Sequence, residues 1–242
     1  MAPPDQSAVV FGASGGIGGA LVRQLAATGA YSTVYAGARE ALLDLPDGVT
    51  AFQFDLTDEA AIAAAASSFA VPPALVIVAS GILHDPGRGI APEKSWRMID
   101  PAALAQVLAI NTIGPALIAK HLLPKLPRDR RAVFAALSAR VGSISDNRLG
   151  GWHAYRASKA ALNMLIANFG IELARSHPRA IAAALHPGTV SSALSAPFRQ
   201  STPDNPLFTP DEAAQHLLSV IARLTPADSG GLFAWDGQRL PW

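Results

Sequence analysis

Tyr155 and Lys159 stand four residues apart in the segment HAYRASKAAL, and helical spacing puts both side chains on one face. A phenol has a reference pKa near ~10, and a neighbouring ammonium group favours its charged phenolate form. Such a tyrosine can protonate an alkoxide as it forms, which is general acid catalysis. The pair therefore predicts proton transfer to a carbonyl oxygen, with Tyr155 as the acid and Lys159 assisting it.

The segment VVFGASGGIGGAL places Gly12, Gly16 and Gly18 between a predicted strand and a predicted helix. A backbone that turns tightly and approaches a pyrophosphate has no room for side chains there. The helix N-terminus that follows offers free N–H groups and a partial positive charge. The strand–turn–helix context makes this spacing a dinucleotide-binding signal. Ser14 and Ile17 lie inside the same segment, and we include them among the cofactor-binding candidates.

The residue at the end of the second predicted strand indicates whether the chain binds NAD or NADP. An acidic residue there binds the ribose 2′-hydroxyl of NAD, whereas an arginine pairs with the 2′-phosphate of NADP. The segment VYAGARE has Ala38 followed by Arg39 at this place. We therefore expect NADPH as the cofactor in preference to NADH. The alternative interpretation of Arg39 is a solvated surface residue.

Short apolar segments alternate along the chain with Ala-rich segments of helical periodicity. The predicted strands are Ala8–Phe11, Ser32–Ala36, Val49–Phe54, Leu75–Ala79, Ala132–Leu137, Ala180–Leu185 and Gly231–Trp235. The predicted helices are Gly16–Ala27, Thr57–Phe69, Pro101–Leu123, Trp152–Arg175 and Thr209–Leu224. This alternation predicts an α/β fold with one doubly wound parallel sheet of about seven strands and helices on both faces. With no repeat and no linker, we expect a single domain over residues 1–242.

Composition excludes several classes of function. The chain has a formal net charge of +1 and no basic run, whereas nucleic-acid binding needs a basic patch. The lack of cysteine excludes disulfides and thiol catalysis, and the six histidines are not spaced as ligands, so we expect no metal. We find no signal peptide and no run of ~18 apolar residues. We therefore expect a cytoplasmic protein with no membrane partner.

Two long segments rich in Pro, Gly and Ser interrupt the alternation, at Ile82–Asp100 and Thr189–Phe208. Each follows a predicted strand, and ligands of open α/β sheets bind beyond the carboxyl ends of the strands. We interpret both as candidate walls of a substrate pocket, with plain surface insertions as the alternative. The apolar residues that they contribute are Trp96, Met98, Leu194 and Phe198.

Together these motifs resemble the short-chain dehydrogenase/reductase family, and within it the C-factor and Sniffer-type carbonyl reductases, over essentially the whole chain. GASGGIG is similar to the family's glycine motif, and YRASK to its catalytic Tyr and Lys. The resemblance implies a Rossmann-type NAD(P)-binding domain. It also implies adenine contacts from Asp55 and Leu56 in FDLTD, and a relay water held by Asn111 in LAINTIG. HPGTVSS implies a nicotinamide turn formed by Pro187, Gly188, Val190 and Ser192.

The chain departs from the family pattern at two places. Where the family has Asn-Asn-Ala-Gly after the fourth strand, this chain has VASG, which keeps only Gly81 as a cofactor-binding candidate. In LSARVGS, Ala139 occupies the position of the family's carbonyl-polarising serine. Ser143 could supply the hydroxyl from the loop, Ser138 could supply it from a shifted register, or Tyr155 could act without a serine. Neighbouring residues of a strand face opposite ways, which favours Ser143.

The resemblance implies an NADPH-dependent carbonyl reductase that transfers hydride between nicotinamide and a ketone or aldehyde, or a secondary alcohol in reverse. The alternative is a catalytically weak nucleotide-binding protein with a regulatory or signalling role, as in C-factor. The family also implies a homo-oligomer, a dimer or tetramer, with a monomer as the alternative. The substrate is a small carbonyl compound whose identity the sequence does not specify.

Overall fold

The computed structural model describes residues 5–42, 44–192 and 206–242. Its strands are β1 (Ser7–Phe11), β2 (Thr33–Ala38), β3 (Val49–Gln53), β4 (Pro73–Val78), β5 (Ala132–Leu137), β6 (Ala180–His186), β7 (Thr189–Val190), β8 (Leu207–Phe208), β9 (Gly231–Ala234) and β10 (Arg239–Leu240). Eight of them form one sheet in the order β10-β9-β6-β5-β4-β1-β2-β3, and β7 pairs with β8 alone. Neighbours in the large sheet are parallel except β9 and β10. The predicted α/β class with a doubly wound sheet is confirmed.

All seven predicted strands occur. Most of them form continuous apolar segments because they are parallel strands buried on both faces, whereas the edge strand β3 is partly exposed. The prediction missed three strands, β7, β8 and β10. Each is two residues long, which is too short to carry any periodicity. The antiparallel β10 extends the sheet at its edge through Leu240, which pairs with Leu232 of β9.

The helices are α1 (Gly16–Thr28), α2 (Glu59–Ser68), α3 (Pro101–Leu108), α4 (Gly114–Leu122), α5 (His153–Ser176) and α6 (Pro210–Arg223). Helix α2 begins later than predicted because Asp58 is its N-cap and accepts bonds from Ala60 N and Ala61 N. Helix α6 begins with a capping box formed by Thr209 and Glu212. The predicted helix 101–123 is divided by a π-helical turn, Ala109–Ile113, between α3 and α4.

Two apolar layers cover the two faces of the sheet. One joins Leu21 of α1 and Leu217 of α6 to the strands. The other joins Ile62 of α2, Ile118 of α4 and Ile166 of α5 to the opposite face. This two-sided covering explains why the central strands are buried along their whole length.

The strand register aligns the carboxyl ends of the central strands. Phe11 pairs with Val78, Val78 with Ala136, and Leu137 with Leu185. The segments that follow β1, β4, β5 and β6 therefore leave the sheet at one edge. The order reverses between β1 and β4, and ligands of such sheets bind at this switch point.

The segment Pro101–Lys125 is long and apolar enough to cross a membrane by length and composition, with a hydropathy of 1.7 over its window. In the fold it packs Ile118 and Leu122 into the core. Such packing is typical of a core helix in a globular domain, and the segment is weak evidence for a membrane span.

Candidate active site

The turn between β1 and α1 is built on two glycines that no other residue could replace without a shift. Gly12 has φ +92, and its amide and that of Ala13 both donate to Gly37 O, at 2.9 and 2.8 Å. A Cβ atom on Gly18 would lie 2.0 Å from Gly12 O. The helix can therefore approach the turn only because residue 18 has no side chain. Gly15 is the N-cap of α1 and, being glycine, leaves the helix end open to an anion.

An open cleft of about 930 Å³ lies beyond this turn. It is lined by Gly12, Ser14, Gly15, Ala38, Arg39, Phe54, Asp55, Leu56, Thr57, Ala79, Ser80, Gly81, Ile82, Asp85, Arg88 and Ile110. Six of the predicted cofactor-binding residues are in this lining: Gly12, Ser14, Arg39, Asp55, Leu56 and Gly81. Gly16, Ile17 and Gly18 lie behind it in the first turn of α1, where Ile17 packs against the core.

The far end of the cleft has two guanidinium groups and two carboxylates. Asp55 accepts hydrogen bonds from the amide and hydroxyl of Thr57, at 2.8 and 2.7 Å. These bonds lower the pKa of Asp55, and the positive charges of Arg39 and Arg88 lower it further. Arg88 is one of the residues that the sequence did not indicate. Its Nε lies 3.3 Å from Asp85 Oδ2, which holds the guanidinium group at the cleft.

Asn111 lies in the π-helical turn and is fully buried. Its Oδ1 accepts from Ile82 N at 2.7 Å, and its Nδ2 donates to Ile82 O at 2.8 Å and to Ser158 Oγ at 3.0 Å. Ser158 in turn donates to Tyr155 O at 2.7 Å. A Cβ atom on Gly81 would lie 3.4 Å from Asn111 Oδ1 and 3.5 Å from Lys159 Nζ. The fold thus brings Gly81, Asn111 and Lys159 together at the near end of the cleft.

Tyr155 and Lys159 project from the first two turns of α5. The Lys159 ammonium lies 5.7 Å from the centre of the Tyr155 ring and donates to Leu137 O at 2.8 Å. Burial lowers the pKa of Lys159 to about 8 and raises the pKa of Tyr155 to about 12. The expected lowering of the Tyr155 pKa by the ammonium group is therefore wrong for this structure, because desolvation of the phenol outweighs the neighbouring charge.

The two candidate serines have different partners. Ser138 follows β5, is buried, and donates from Oγ to Asn163 Oδ1 at 2.6 Å. Ser143 is also buried, but its Oγ accepts from Asp146 N at 3.2 Å. A hydroxyl group has one proton to donate, so Ser138 uses its proton inside the protein while Ser143 keeps its own.

The turn after β6 is the predicted nicotinamide end. It holds Pro187 and Gly188, whose φ is +78, and a Cβ atom on Gly188 would lie 2.8 Å from the Phe208 ring. Val190 is buried and pairs with Phe208 in the small β7–β8 sheet, and Ser192 is partly exposed. Of the predicted pocket residues, Trp96 and Met98 are exposed, whereas Leu194 and Phe198 lie outside the described residues.

Two residues of the site gave no usable signal in the sequence analysis. Ser158, inside YRASK, links Asn111 to the catalytic helix and also accepts from Thr112 Oγ1 through its carbonyl oxygen. Arg88 lies in a loop, where only the chain path decides which side chains reach the cleft. Among the described residues, no group of three or more His, Asp or Glu side chains is placed to hold a metal ion.

The chain also matches a known protein family. The model for the short chain dehydrogenase family matches residues 6–203, which is most of the chain. The chain belongs to the short-chain dehydrogenase family. This membership makes it an oxidoreductase of CH–OH or C=O groups.

Two relatives match about 60% of the chain each. The chain is 34% identical over 145 residues to the C-signal protein of Myxococcus xanthus, and the matched region covers 60% of this chain and 81% of that protein. It is 35% identical over 144 residues to a 1-hydroxy-2-glutathionyl-2-methyl-3-butene dehydrogenase of Rhodococcus sp. strain AD45, covering 60% of this chain and 61% of that protein.

Two solved structures superimpose on nearly the whole chain. The NADPH-bound carbonyl reductase from chicken fatty liver is 27% identical, with a TM-score of 0.84 over 98% of this chain and 94% of that one. The carbonyl reductase Sniffer of D. melanogaster is 21% identical, with a TM-score of 0.82 over 98% and 99%, and supports the fold. The resemblance to C-factor and Sniffer-type members is confirmed.

Proposed function

We propose that this chain is an NADPH-dependent carbonyl reductase, with Tyr155 as general acid and Lys159 beside it. One observation carries the proposal. Lys159 Nζ lies beside Gly81, which lines one end of the cleft, and the lining also includes the glycine turn at Gly12 and Arg39. A proton donor and an open cleft thus share one edge of the sheet.

The residues present fit a nicotinamide dinucleotide. The positive φ of Gly12 and the bare Cα atom of Gly18 keep the β1–α1 turn compact, so the backbone can approach a pyrophosphate. Val78 and Ala79 stand where the family has two asparagines, and Ser80 stands where it has alanine. Ser80 Oγ lies within 2.6 Å of where a Gly12 Cβ would be, so the two segments remain in close packing. When bound, the nicotinamide would supply hydride to a carbonyl carbon.

We propose that Arg39 and Arg88 bind the 2′-phosphate and so favour NADPH over NADH. Both guanidinium groups line the cleft, and both act electrostatically on Asp55. The NADPH-bound state of the chicken fatty liver enzyme supports the same cofactor. Planar guanidinium groups suit phosphate oxygens because they donate two hydrogen bonds at once.

Each catalytic side chain has a definite task in this proposal. Tyr155, whose raised pKa keeps it protonated at neutral pH, donates its proton to the carbonyl oxygen of the substrate. The Lys159 ammonium stabilises the negative charge that remains on the phenol oxygen. The side-chain amide of Asn111 is bonded to Ile82 and Ser158, so we assign the relay water to its main-chain oxygen.

The partner of Ser138 supports Ser143 as the residue that orients the carbonyl. Ser138 donates its only hydroxyl proton to Asn163, whereas Ser143 accepts and can still donate. A carbonyl-polarising residue must donate toward the developing oxyanion. Ser143 meets that requirement, and action by Tyr155 without a serine stays the alternative.

A regulatory or signalling protein that binds the nucleotide with little turnover is the second candidate. The similarity to the C-signal protein of Myxococcus xanthus favours it, as does Ala139 at the position of the family's serine. The paired phenol and amine argue for catalysis, because nucleotide binding alone does not need a general acid. A cytoplasmic location and a homo-oligomer stay predictions, and light scattering of the purified protein decides the latter.

The test is NADPH binding and NADPH oxidation by the purified protein across a panel of ketones and aldehydes. The proposal predicts saturable binding together with turnover of at least one carbonyl compound. Binding without turnover of any compound favours the signalling candidate. Lack of binding to both NADPH and NADH contradicts both candidates.

A further inference from the structure

Glu93 is a buried acid that the proposed mechanism does not use. Only 4% of its surface is exposed, although Ala91 and Lys94 beside it in the loop 82–100 are exposed. Removing a carboxylate from water is costly unless hydrogen-bond donors replace the water. The position of Glu93 therefore requires specific partners.

Those partners are the first residues of α5. The two carboxylate oxygens of Glu93 accept from Ala154 N at 3.3 and 3.2 Å. The Glu93 carbonyl oxygen accepts from Trp152 N at 2.6 Å. Trp152 occupies the N-cap position in the left-handed region, with φ 49, and its indole can donate but not accept. Glu93 thus provides, from another part of the chain, the acceptor that the N-cap side chain cannot provide.

The chemistry of this contact matches what a helix N-terminus needs. The first turn of a helix has N–H groups without intrahelical acceptors and a partial positive charge. A carboxylate satisfies both conditions, and hydrogen bonds to an ionised acceptor are the stronger ones. Because α5 carries Tyr155, Ser158 and Lys159, the capped end is the end that carries the proposed chemistry.

Two further contacts fix the same loop to the same helix. Ile90 of the loop packs with Ala154 in a small apolar cluster that also contains Ala103 and Val107. The turn before α5 passes so close that a Cβ atom on Gly151 would lie 3.3 Å from Glu93 O. The loop is therefore attached to α5 by charge, by main chain and by packing, with Glu93 at the centre.

We infer that Glu93 is a positioning residue, which caps α5 in trans and holds Tyr155, the next residue after the capped amide, in place for proton transfer. The catalytic part of this inference rests on the proposed function, whereas the capping part does not. Small displacements of a catalytic group reduce rates strongly. Loss of the cap should therefore lower turnover more than cofactor binding.

The test compares Glu93→Ala, which removes the acceptor and the charge, with Glu93→Gln, which keeps a neutral acceptor of similar shape. Glu172→Ala is the matched control, since Glu172 is an exposed acid on the same helix. Hydrogen exchange measured by mass spectrometry on peptides 151–160 and 162–175 needs no activity. We expect faster exchange in Glu93→Ala at 151–160 alone, and a smaller change in Glu93→Gln.

The kinetic readout is kcat against KM for NADPH. We expect Glu93→Ala to lower kcat by about 10-fold to 100-fold with KM for NADPH unchanged, and Glu93→Gln to restore most of kcat. Wild-type exchange and kcat in Glu93→Ala would overturn the inference. The inference would also be overturned if Glu93→Ala and Glu93→Gln lost kcat equally, exchanged faster along the whole helix and no longer bound NADPH. A wild-type protein without turnover would instead refute the proposed function, and the exchange comparison would still decide the cap.

Discussion

Lys159 places its ammonium nitrogen 5.7 Å from the centre of the Tyr155 ring while donating a hydrogen bond to Leu137 O at 2.8 Å. The bond ties the lysine to the end of β5, and the backbone of α5 ties it to the tyrosine. Both groups are desolvated, which moves their pKa values in opposite directions, to about 8 and about 12. The relationship between these two residues leads to the first two predictions.

The first concerns stability. Because burial lowers the pKa of Lys159 to about 8 from an ordinary value near 10.5, the unfolded chain binds more protons than the folded one between these two pH values. Wild-type stability should therefore rise with pH across this window. Below pH 8 the buried charge costs on the order of 3 kcal/mol. Lys159→Met should be the more stable protein at pH 7, and its advantage should shrink above pH 8.

Urea unfolding followed by circular dichroism at several pH values measures this difference. Subtracting wild type from Lys159→Met removes the contributions of the other titrating groups. A difference that does not depend on pH would show that Lys159 has an ordinary pKa in the folded protein.

The second prediction concerns the pH dependence of carbonyl reduction. Loss of the Lys159 proton removes the positive charge that stabilises the phenolate, so Tyr155 becomes a weaker acid. We expect kcat for reduction to fall as the pH rises through about 8. Lys159→Met should have a lower kcat without this step. A wild-type profile that is flat between pH 6 and pH 9 would contradict the role of the ammonium group.

The third prediction separates the two serines by different readouts. Ser143→Ala should lower kcat by about 10²–10³-fold with little change in stability, as expected when a polarising donor is removed. Ser138→Ala should leave kcat nearly intact but cost about 1–3 kcal/mol, because Asn163 Oδ1 loses its donor in a buried place. The measurements are steady-state kinetics and urea unfolding. The opposite pattern would assign the carbonyl to Ser138, and wild-type kcat in both variants would leave Tyr155 acting alone.

The fourth prediction tests the 2′-phosphate site. Arg39→Gln and Arg88→Gln should each raise KM for NADPH by about tenfold or more, since the charge-assisted hydrogen bonds to the phosphate are lost. KM for NADH should not change. Arg23→Gln is the matched control, because Arg23 is exposed and paired with Asp211 outside the cleft. Equal effects on NADPH and NADH would mean that these arginines do not read the phosphate.

Much of the fold could be predicted from the sequence, because local patterns determine it. The segments that became β1, β4, β5 and β6 are continuous apolar stretches, which is the pattern of strands buried on both faces. The π-helical turn at Asn111 could not be predicted. Its residues have the same apolar composition as α3 and α4, and a change from i−4 to i−5 hydrogen bonding leaves no periodic mark.

The candidate site could likewise be predicted from the sequence only in part. The glycines and the Tyr155–Lys159 pair could be predicted because their function depends on spacing along one turn or one helix. Arg88 and Glu93 could not, since each acts across a loop whose path is set by tertiary packing. The sequence also could not predict that the pKa of Tyr155 is raised. The degree of burial determines whether desolvation or the neighbouring charge has the larger effect on that pKa.

The central claim is that Tyr155 supplies the proton in carbonyl reduction, and Tyr155→Phe tests it most directly. The variant removes one hydroxyl oxygen and keeps the ring that packs beside Trp152. The measurement is single-turnover NADPH oxidation with the best carbonyl substrate, together with NADPH binding. The account predicts a rate at least about 10²-fold below wild type with wild-type NADPH affinity. A Tyr155→Phe rate equal to that of wild type would contradict it.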